Sequence, residues 1–407
     1  MLELEEALAR MLSVIPPATP ERVPLGLAHR RILAERVSAP VDLPPFDNSA
    51  MDGYAVQAAS LRGATAESPV ELRLSGRVPA GENFAGELLP GQCVRIFTGS
   101  PLPRGTDAVI MQEDTLADPA RPGVVSFLDS VKPWENIRLQ GEDVKRGACL
   151  ADKGVAVNPS RLSLFAAVGL ADVQAGKTPR VGLLATGSEL REPGQPLMPG
   201  KIYESNRLML AAMLDSVGVR ARIYPIVPDS PVETRAALEL ALAECDCVIT
   251  SGGVSVGEMD FVKSAFEQLG GDLQFWKVAI RPGRPFVFGQ SGGKLLFGLP
   301  GNPVSAFVTC QLLVRPALLR WQGAVDTALP ATPGILAEPL VNSGGRRHFM
   351  RVSVDPSGKI RSAGAQASHM LSSLAAANGL VDVPPNATLL AGAMVPVLLW
   401  ERSAGLA

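Results

Sequence analysis

From Pro179 to about Gln322 one pattern recurs: a short apolar run, a polar loop that often carries glycine, then apolar residues at helical spacing. That alternation admits few architectures, because parallel strands need long crossovers and helices supply them. The first run, Val181 to Ala185, ends in Thr186-Gly187-Ser188-Glu189-Leu190. Leu210, Met213, Leu214 and Val217 then fall at i, i+3, i+4 and i+7, with Gly218 placed to stop the helix. Arg222 to Val227 reads as a second strand, and Ser230, Pro231 and Glu233 behind it have the spacing of a capped helix start. A third strand, Cys247 to Thr250, runs into the loop Ser251 to Glu258, and the next helix bears Val262, Ala265, Phe266 and Leu269. Asn302 and Pro303 open a last helix that Pro316 is expected to interrupt. The expectation is a doubly wound α/β domain with right-handed crossovers.

The chain, at 407 residues, exceeds what one ordinary core organises, so further domains are expected. Between Leu43 and Ala156, glycine and proline punctuate short runs such as Cys93 to Thr98 and Ala108 to Gln112, a β-rich texture. After Thr332 the runs Phe349 to Val354, Gly379 to Val383 and Met394 to Trp400 predict a small all-β terminal domain. Near the N-terminus Leu4, Leu8, Met11, Leu12 and Ile15 have helical spacing among Glu3, Glu5 and Glu6, which is wrong for a signal peptide. No stretch has the length of a membrane span. Lys plus Arg number 38 against 40 for Asp plus Glu, so no overall field favours nucleic acid or an anionic membrane, and any anion site must be local. The five cysteines are read as reduced thiols, with Cys245 and Cys247 in packing roles, and a cytoplasmic protein is expected. His29, His348 and His369 are scattered, which argues against a histidine metal site or a Ser-His-Asp triad.

In a doubly wound sheet, ligands bind beyond the carboxyl ends of the strands. Those positions are acidic here: Glu189 follows the first strand, Asp229 the second, and Glu258 and Asp260 lie beyond the glycine loop. Carboxylates converging there need a cation, and Mg²⁺ suits oxygen ligands and phosphates. Singly, each acid also reads as a helix cap or a solvated charge. The loop Ser251 to Gly257 offers backbone N–H groups to an anion, or is only a tight turn. Lys277, Arg281 and Arg284 crowd into one proline-rich stretch and face either an anionic ligand or solvent from an exposed basic edge strand. A second acid-rich turn runs from Phe46 to Ala55, and Thr98-Gly99 and Arg138 to Asp143 have the same polar, glycine-bearing character.

Phe46 to Ala55, Asn136 to Asp143, Thr186 to Leu190, Ser251 to Asp260, Phe275 to Pro285 and Gly298 to Ser305 together resemble the signatures of the MoeA family. These are the molybdopterin molybdenumtransferases, which include the E domain of gephyrin. The resemblance implies an elongated homodimer of four-domain chains. Residues 1–45 and 144–178 would form a discontinuous N-terminal domain, 46–143 an inserted β-rich domain, 179–328 the α/β molybdopterin-binding domain and 329–407 a C-terminal β domain. The active site would lie between the α/β domain of one subunit and the inserted domain of the other. Carried over by motif, the catalytic residues are Asp52, Asp143, Asp260, Lys277 and Arg281. The substrate contacts are Thr98, Arg138, Thr186, Gly187, Ser251, Gly252, Gly253, Ser255, Gly257, Pro300, Pro303, Arg351 and Ser368. Glu189, Asp229 and Asp260 would hold Mg²⁺. Arg281 and Arg284 stand where the resemblance leads one to expect lysines. The substrates implied are adenylylated molybdopterin and molybdate, and the products molybdenum cofactor and AMP. The competing readings are a molybdopterin adenylyltransferase, which the N-terminal segment with Asp52 argues against, and a gephyrin-like scaffold. Molybdate and tungstate are not separated at this level.

Overall fold

The computed structural model describes residues 1–254 and 261–400, so Ser255, Gly257, Glu258 and Asp260 lie outside the described residues. The chain divides into two compact units, one of Met1–Glu35, Asp152–Asn158 and the chain from Asp172 onward, the other of Arg36–Ala151 and Pro159–Ala171.

In the first unit, a six-stranded sheet has the order Ala221–Ile223, Val181–Ala185, Cys247–Ser251, Lys294–Leu299, Val287–Ser291, Asp272–Phe275. The first four are parallel, Val287–Ser291 runs antiparallel to them, and Asp272–Phe275 at the edge pairs antiparallel to Val287–Ser291. Alternate side chains feed two separate cores: Val181, Leu183, Cys247, Ile249 and Phe297 pack on one face, and Leu184, Val248 and Leu296 on the other. A central strand apolar on both faces needs helices on both sides. They are Asn206–Asp215 and Pro303–Thr309 over the first core, and Pro231–Glu244 and Val262–Gln268 over the second. The N-terminal helix Leu4–Ser13 adds Leu4, Ala7 and Met11 to the first core.

Two local expectations are corrected. The second strand stops at Ile223 because Pro225 and Pro228 have no N–H to give the ladder; Val227 rejoins only through one bridge to Thr186. Pro316 does not end the last helix. A π turn, Cys310–Val314, shifts the hydrogen-bond ladder, so Pro316 falls in the first turn of a new segment, Arg315–Trp321, where its missing N–H is not needed.

The same unit holds a second six-stranded sheet, in which Arg347–Val354, Lys359–Ser362, Ala331–Leu336, Met394–Leu399 and Gly379–Val383 close a ring through the pairing of the first with the last. Ile280–Arg281 adds to it, parallel to Arg347 and His348. The basic stretch is therefore neither free nor an edge of the α/β sheet; it joins the terminal barrel.

The second unit is β-rich as expected, with strand order Ala108–Met111, Gly53–Val56, Gln92–Ile96, Val70–Val78, Val124–Phe127, Thr115–Ala117. Its core gathers Tyr54, Leu61, Cys93, Ile110 and Phe127. Gly53 sits where a Cβ would lie 1.9 Å from the carbonyl oxygen of Ile110, so only glycine lets the two strands pair. Gly53→Ala is expected to destabilise this unit by about 3 kcal/mol, the upper range for forced overpacking. An unfolding titration that finds the variant within about 0.5 kcal/mol of the parent would reject that contact, since such a change is usual for neutral surface sites.

Candidate active site

The parallel strands of the α/β sheet deliver Thr186 and Ser251 side by side at their carboxyl ends, where the Thr186 N–H donates to the Ser251 carbonyl at 3.0 Å. Beyond Ser251 the chain turns through Gly252 and Gly253, both in the left-handed region with φ 89° and 68°. A Cβ at Gly252 would meet the Thr186 carbonyl at 2.6 Å, and one at Gly253 would meet Val262 Cγ2 at 2.7 Å. The turn is therefore glycine by conformation and by space. Gly187 donates its N–H to the Val227 carbonyl at 3.0 Å, closing the first strand end against the second.

A cavity of about 600 Å³ opens beside these strand ends. It brings together Thr186, Glu189, Ser251 and Pro303 from the sequence-predicted set, and adds Glu204, Asn206, Asn302 and His369, which sequence reasoning missed. Glu189 is exposed at its rim. Asp229 does not line it; its Oδ2 accepts the Ser188 N–H at 2.9 Å while its own N–H donates to Ser188 Oγ at 2.9 Å.

A second cavity of about 390 Å³ shares Asn302 and His369 with the first, so the two adjoin. Arg281, Arg284 and Arg346 line it with Pro300 and Ser368, and no carboxylate does so among the described residues. Arg346 reaches it by donating from Nη1 to the Ile280 carbonyl at 2.9 Å. Burial, then the charges of Arg284 and Arg281, holds its pKa below the usual arginine value. Three guanidiniums without a counter-ion form a receptor for a multiply charged oxyanion. Ser368 Oγ accepts from Asn302 Nδ2 at 3.1 Å, tying the terminal segment to the α/β loop.

Arg351 is placed differently from the carry-over. It is fully buried and lines neither cavity; Nη2 donates to the carbonyls of Ala365 at 2.6 Å and Ala367 at 3.2 Å, the segment leading to Ser368. Its contact with the cavity wall is through that backbone. The signal for Arg346 was its place in Gly345-Arg346-Arg347, a basic run whose partner strand is 66 residues away and is not visible locally. Lys277 also stays outside both cavities: its Nζ lies 3.5 Å from the centroid of the Trp276 ring, and its carbonyl accepts the Leu2 N–H at 3.1 Å.

In the second unit, the three polar segments meet. Gly99 donates its N–H to the Ser49 carbonyl at 2.8 Å, Ala50 donates to the Asn136 carbonyl at 2.9 Å, and Arg138 pairs with Asn48. Asp52 Oδ1 accepts both the N–H and the hydroxyl of Thr98, at 2.8 and 2.9 Å. Those donors hold its pKa below the usual carboxylate range, so Asp52 is an anion at neutral pH. Arg138 and Asp143 are exposed, and Asp143 donates its N–H to the Leu43 carbonyl at 3.1 Å.

Among the described residues no three His, Cys, Asp or Glu side chains cluster to hold a metal ion. The chemistry of the donors still fits a hard cation: Glu189 is exposed, and Asp229 keeps Oδ1 free of any bond among the described residues while Oδ2 takes one N–H. Mg²⁺ needs few protein carboxylates when substrate phosphates complete its shell.

Models of the MoeA N-terminal region (domain I and II), a probable molybdopterin binding domain and the MoeA C-terminal region (domain IV) match residues 2–169, 182–320 and 333–400 in turn. The molybdopterin molybdenumtransferase of Haemophilus influenzae is 40% identical over 384 residues, covering 93% of each chain. The chain belongs to the MoeA family. Another relative, the molybdopterin molybdenumtransferase of Bacillus subtilis, is 34% identical over 409 residues, covering 99% of this chain and 95% of its own. The crystal structure of the MoeA protein from Pyrococcus horikoshii superposes with a TM-score of 0.79 at 32% identity, over 98% of this chain and all of that one. The MoeA fold thus extends across both units described above.

Proposed function

We propose that this MoeA-family chain is a molybdopterin molybdenumtransferase that converts adenylylated molybdopterin and molybdate into molybdenum cofactor and AMP. What carries the reading is its near full-length identity with enzymes of that name. The adjoining cavities support it, since a tripled arginine receptor beside a strand-end glycine turn suits an oxyanion next to a phosphoanhydride.

Arg281, Arg284 and Arg346 bind molybdate, with Lys277 and Arg138 adding positive charge to phosphate oxygens. The Gly252 and Gly253 turn, with Thr186, Gly187 and Ser251, receives phosphate, and Pro300, Pro303 and Ser368 shape the wall between the cavities. Glu189 and Asp229, together with Asp260, would hold Mg²⁺, which when bound neutralises charge on the anhydride. Asp52, kept anionic by Thr98, and Asp143 orient the pterin or the attacking oxygen in the site of the other subunit of the homodimer. The same reading takes a homodimer in the cytoplasm as the working form, with the four-domain division 1–45 plus 144–178, 46–143, 179–328 and 329–407. No described helix is long and apolar enough to cross a membrane.

The test is AMP release from adenylylated molybdopterin by the purified chain, with molybdate and Mg²⁺ omitted in turn. Release that needs both is expected. Release indifferent to molybdate, or formation of the adenylylated species from ATP, overturns the assignment.

A further inference from the structure

Asn206, the first residue of the Asn206–Asp215 helix, is only 7% exposed and makes an unusual pair of bonds for a buried amide. Its Nδ2 donates to Ser251 Oγ at 2.7 Å and to the Gly301 carbonyl at 2.7 Å. Ser251 ends the strand before the Gly252 and Gly253 turn, and Gly301 lies between Pro300 and Asn302, the loop that borders both cavities. One side chain therefore carries the tie past the strand ends, where the Gly252 N–H already donates to the Leu299 carbonyl at 3.0 Å, out to Gly301. Because a carbonyl only accepts, the Gly301 bond fixes which end of the amide is Nδ2. Oδ1 is left buried with no partner among the described residues.

A buried acceptor without a donor costs free energy that an apolar residue would not incur, so packing alone gives no reason for asparagine here. The surrounding backbone is built to hold it. The Glu204 carboxylate accepts the N–H groups of Asn206 at 2.7 Å and of Arg207 at 3.0 Å, and pairs with the Arg207 guanidinium at 2.9 Å, both side chains being nearly fully buried. Arg207 also bonds Glu192 at 2.8 Å and the Tyr224 carbonyl, which anchors this clamp just beyond the Ala221–Ile223 strand.

We propose that Asn206 is a positioning residue that sets the spacing between the Ser251 turn and the Gly301 loop, and through it the rate of the step that releases AMP. The inference rests on the molybdenumtransferase reading and adds a residue to it. Asn206 lines the first cavity, but its Nδ2 is committed to Ser251 and Gly301 and its Oδ1 is buried, so it acts on the reaction through those two segments. Substrate binding draws on many groups and tolerates a shifted loop, whereas the transition state needs its donors within a fraction of an ångström.

The experiment compares the parent chain with Asn206→Ala, Asn206→Asp and Ser251→Ala in AMP release from adenylylated molybdopterin, with thermal midpoints measured alongside. Both Asn206 variants are expected to lose about 10- to 100-fold in kcat, the cost of displacing a catalytic segment by about 1 Å. The molybdate KM should stay within about twofold, because the arginine receptor stands on other elements, a split a general structural role would not produce. Ser251→Ala, which removes one tether together with the Ser251 phosphate contact, should lose kcat as well, and if one Asn206 variant fails to fold the other carries the test. Parent-like kcat in Asn206→Ala and Asn206→Asp, or activity lost only in proportion to folded protein, overturns the positioning role. A parent that releases no AMP overturns the reading on which it rests.

Discussion

The double variant Arg281→Ala and Arg284→Ala is expected to need about two to four orders of magnitude more molybdate for half-maximal AMP release. Each guanidinium offers the oxyanion charge-assisted hydrogen bonds worth about 1.5–3 kcal/mol, and removing both leaves Arg346 alone in the cavity. Stability should hardly change. Both side chains are exposed, neither makes an ion pair among the described residues, and their loss relieves the repulsion that lowers the Arg346 pKa. The double lysine variant should stay within about tenfold of the parent, since it keeps the charges and gives up only the fork geometry, a difference well below the loss of a whole charge-assisted bond. An unchanged molybdate KM in the alanine variant would remove the oxyanion from this cavity.

The second large effect is a pH dependence of stability located at His348. The ring is 3% exposed in the Arg347–Val354 strand, both nitrogens lack partners among the described residues, and burial, then Arg281, Arg351 and Arg346, pushes its pKa down to about 4. The folded chain thus keeps His348 neutral down to about pH 4, while the unfolded chain takes up the proton near the ordinary 6.5. Stability is therefore whole above pH 6.5 and lost as pH falls toward 4, by about 3 kcal/mol in all. His348→Phe removes the titrating group, so urea unfolding at pH 7 and pH 4.5 should show a pH-linked loss smaller by about 2–3 kcal/mol than the parent's. Equal losses in the two proteins would show that His348 is protonated without penalty, contrary to its burial.

The α/β sheet was legible because its signals are local. Thr186, Ser251 and the glycine turn follow from an apolar run, a left-handed turn and a helix within about a dozen residues, and the Ser230 cap with Pro231 is written in consecutive positions, its Oγ accepting the Glu233 N–H at 3.4 Å. Charge density alone singled out Arg281 and Arg284. What was not legible is non-local. That Ile280–Arg281 joins the terminal barrel depends on a strand 67 positions later, and only this pairing reveals Arg346 as a cavity residue and Arg351 as the buried support of the wall. Glu204 and Arg207 carry no local signal because no spacing rule marks a buried ion pair, and nothing beside Asn206 in the chain points to Ser251 or Gly301. The shortened second strand, by contrast, was written in Pro225 and Pro228 and could have been read there.

The most direct test of the account is a single reaction in which AMP released and molybdenum retained on the pterin product are both counted, with molybdate in excess over adenylylated molybdopterin. Equal amounts are expected, rising together and both absent without molybdate. AMP released with no molybdenum retained would make the chain a hydrolase of the adenylylated pterin and contradict the assignment.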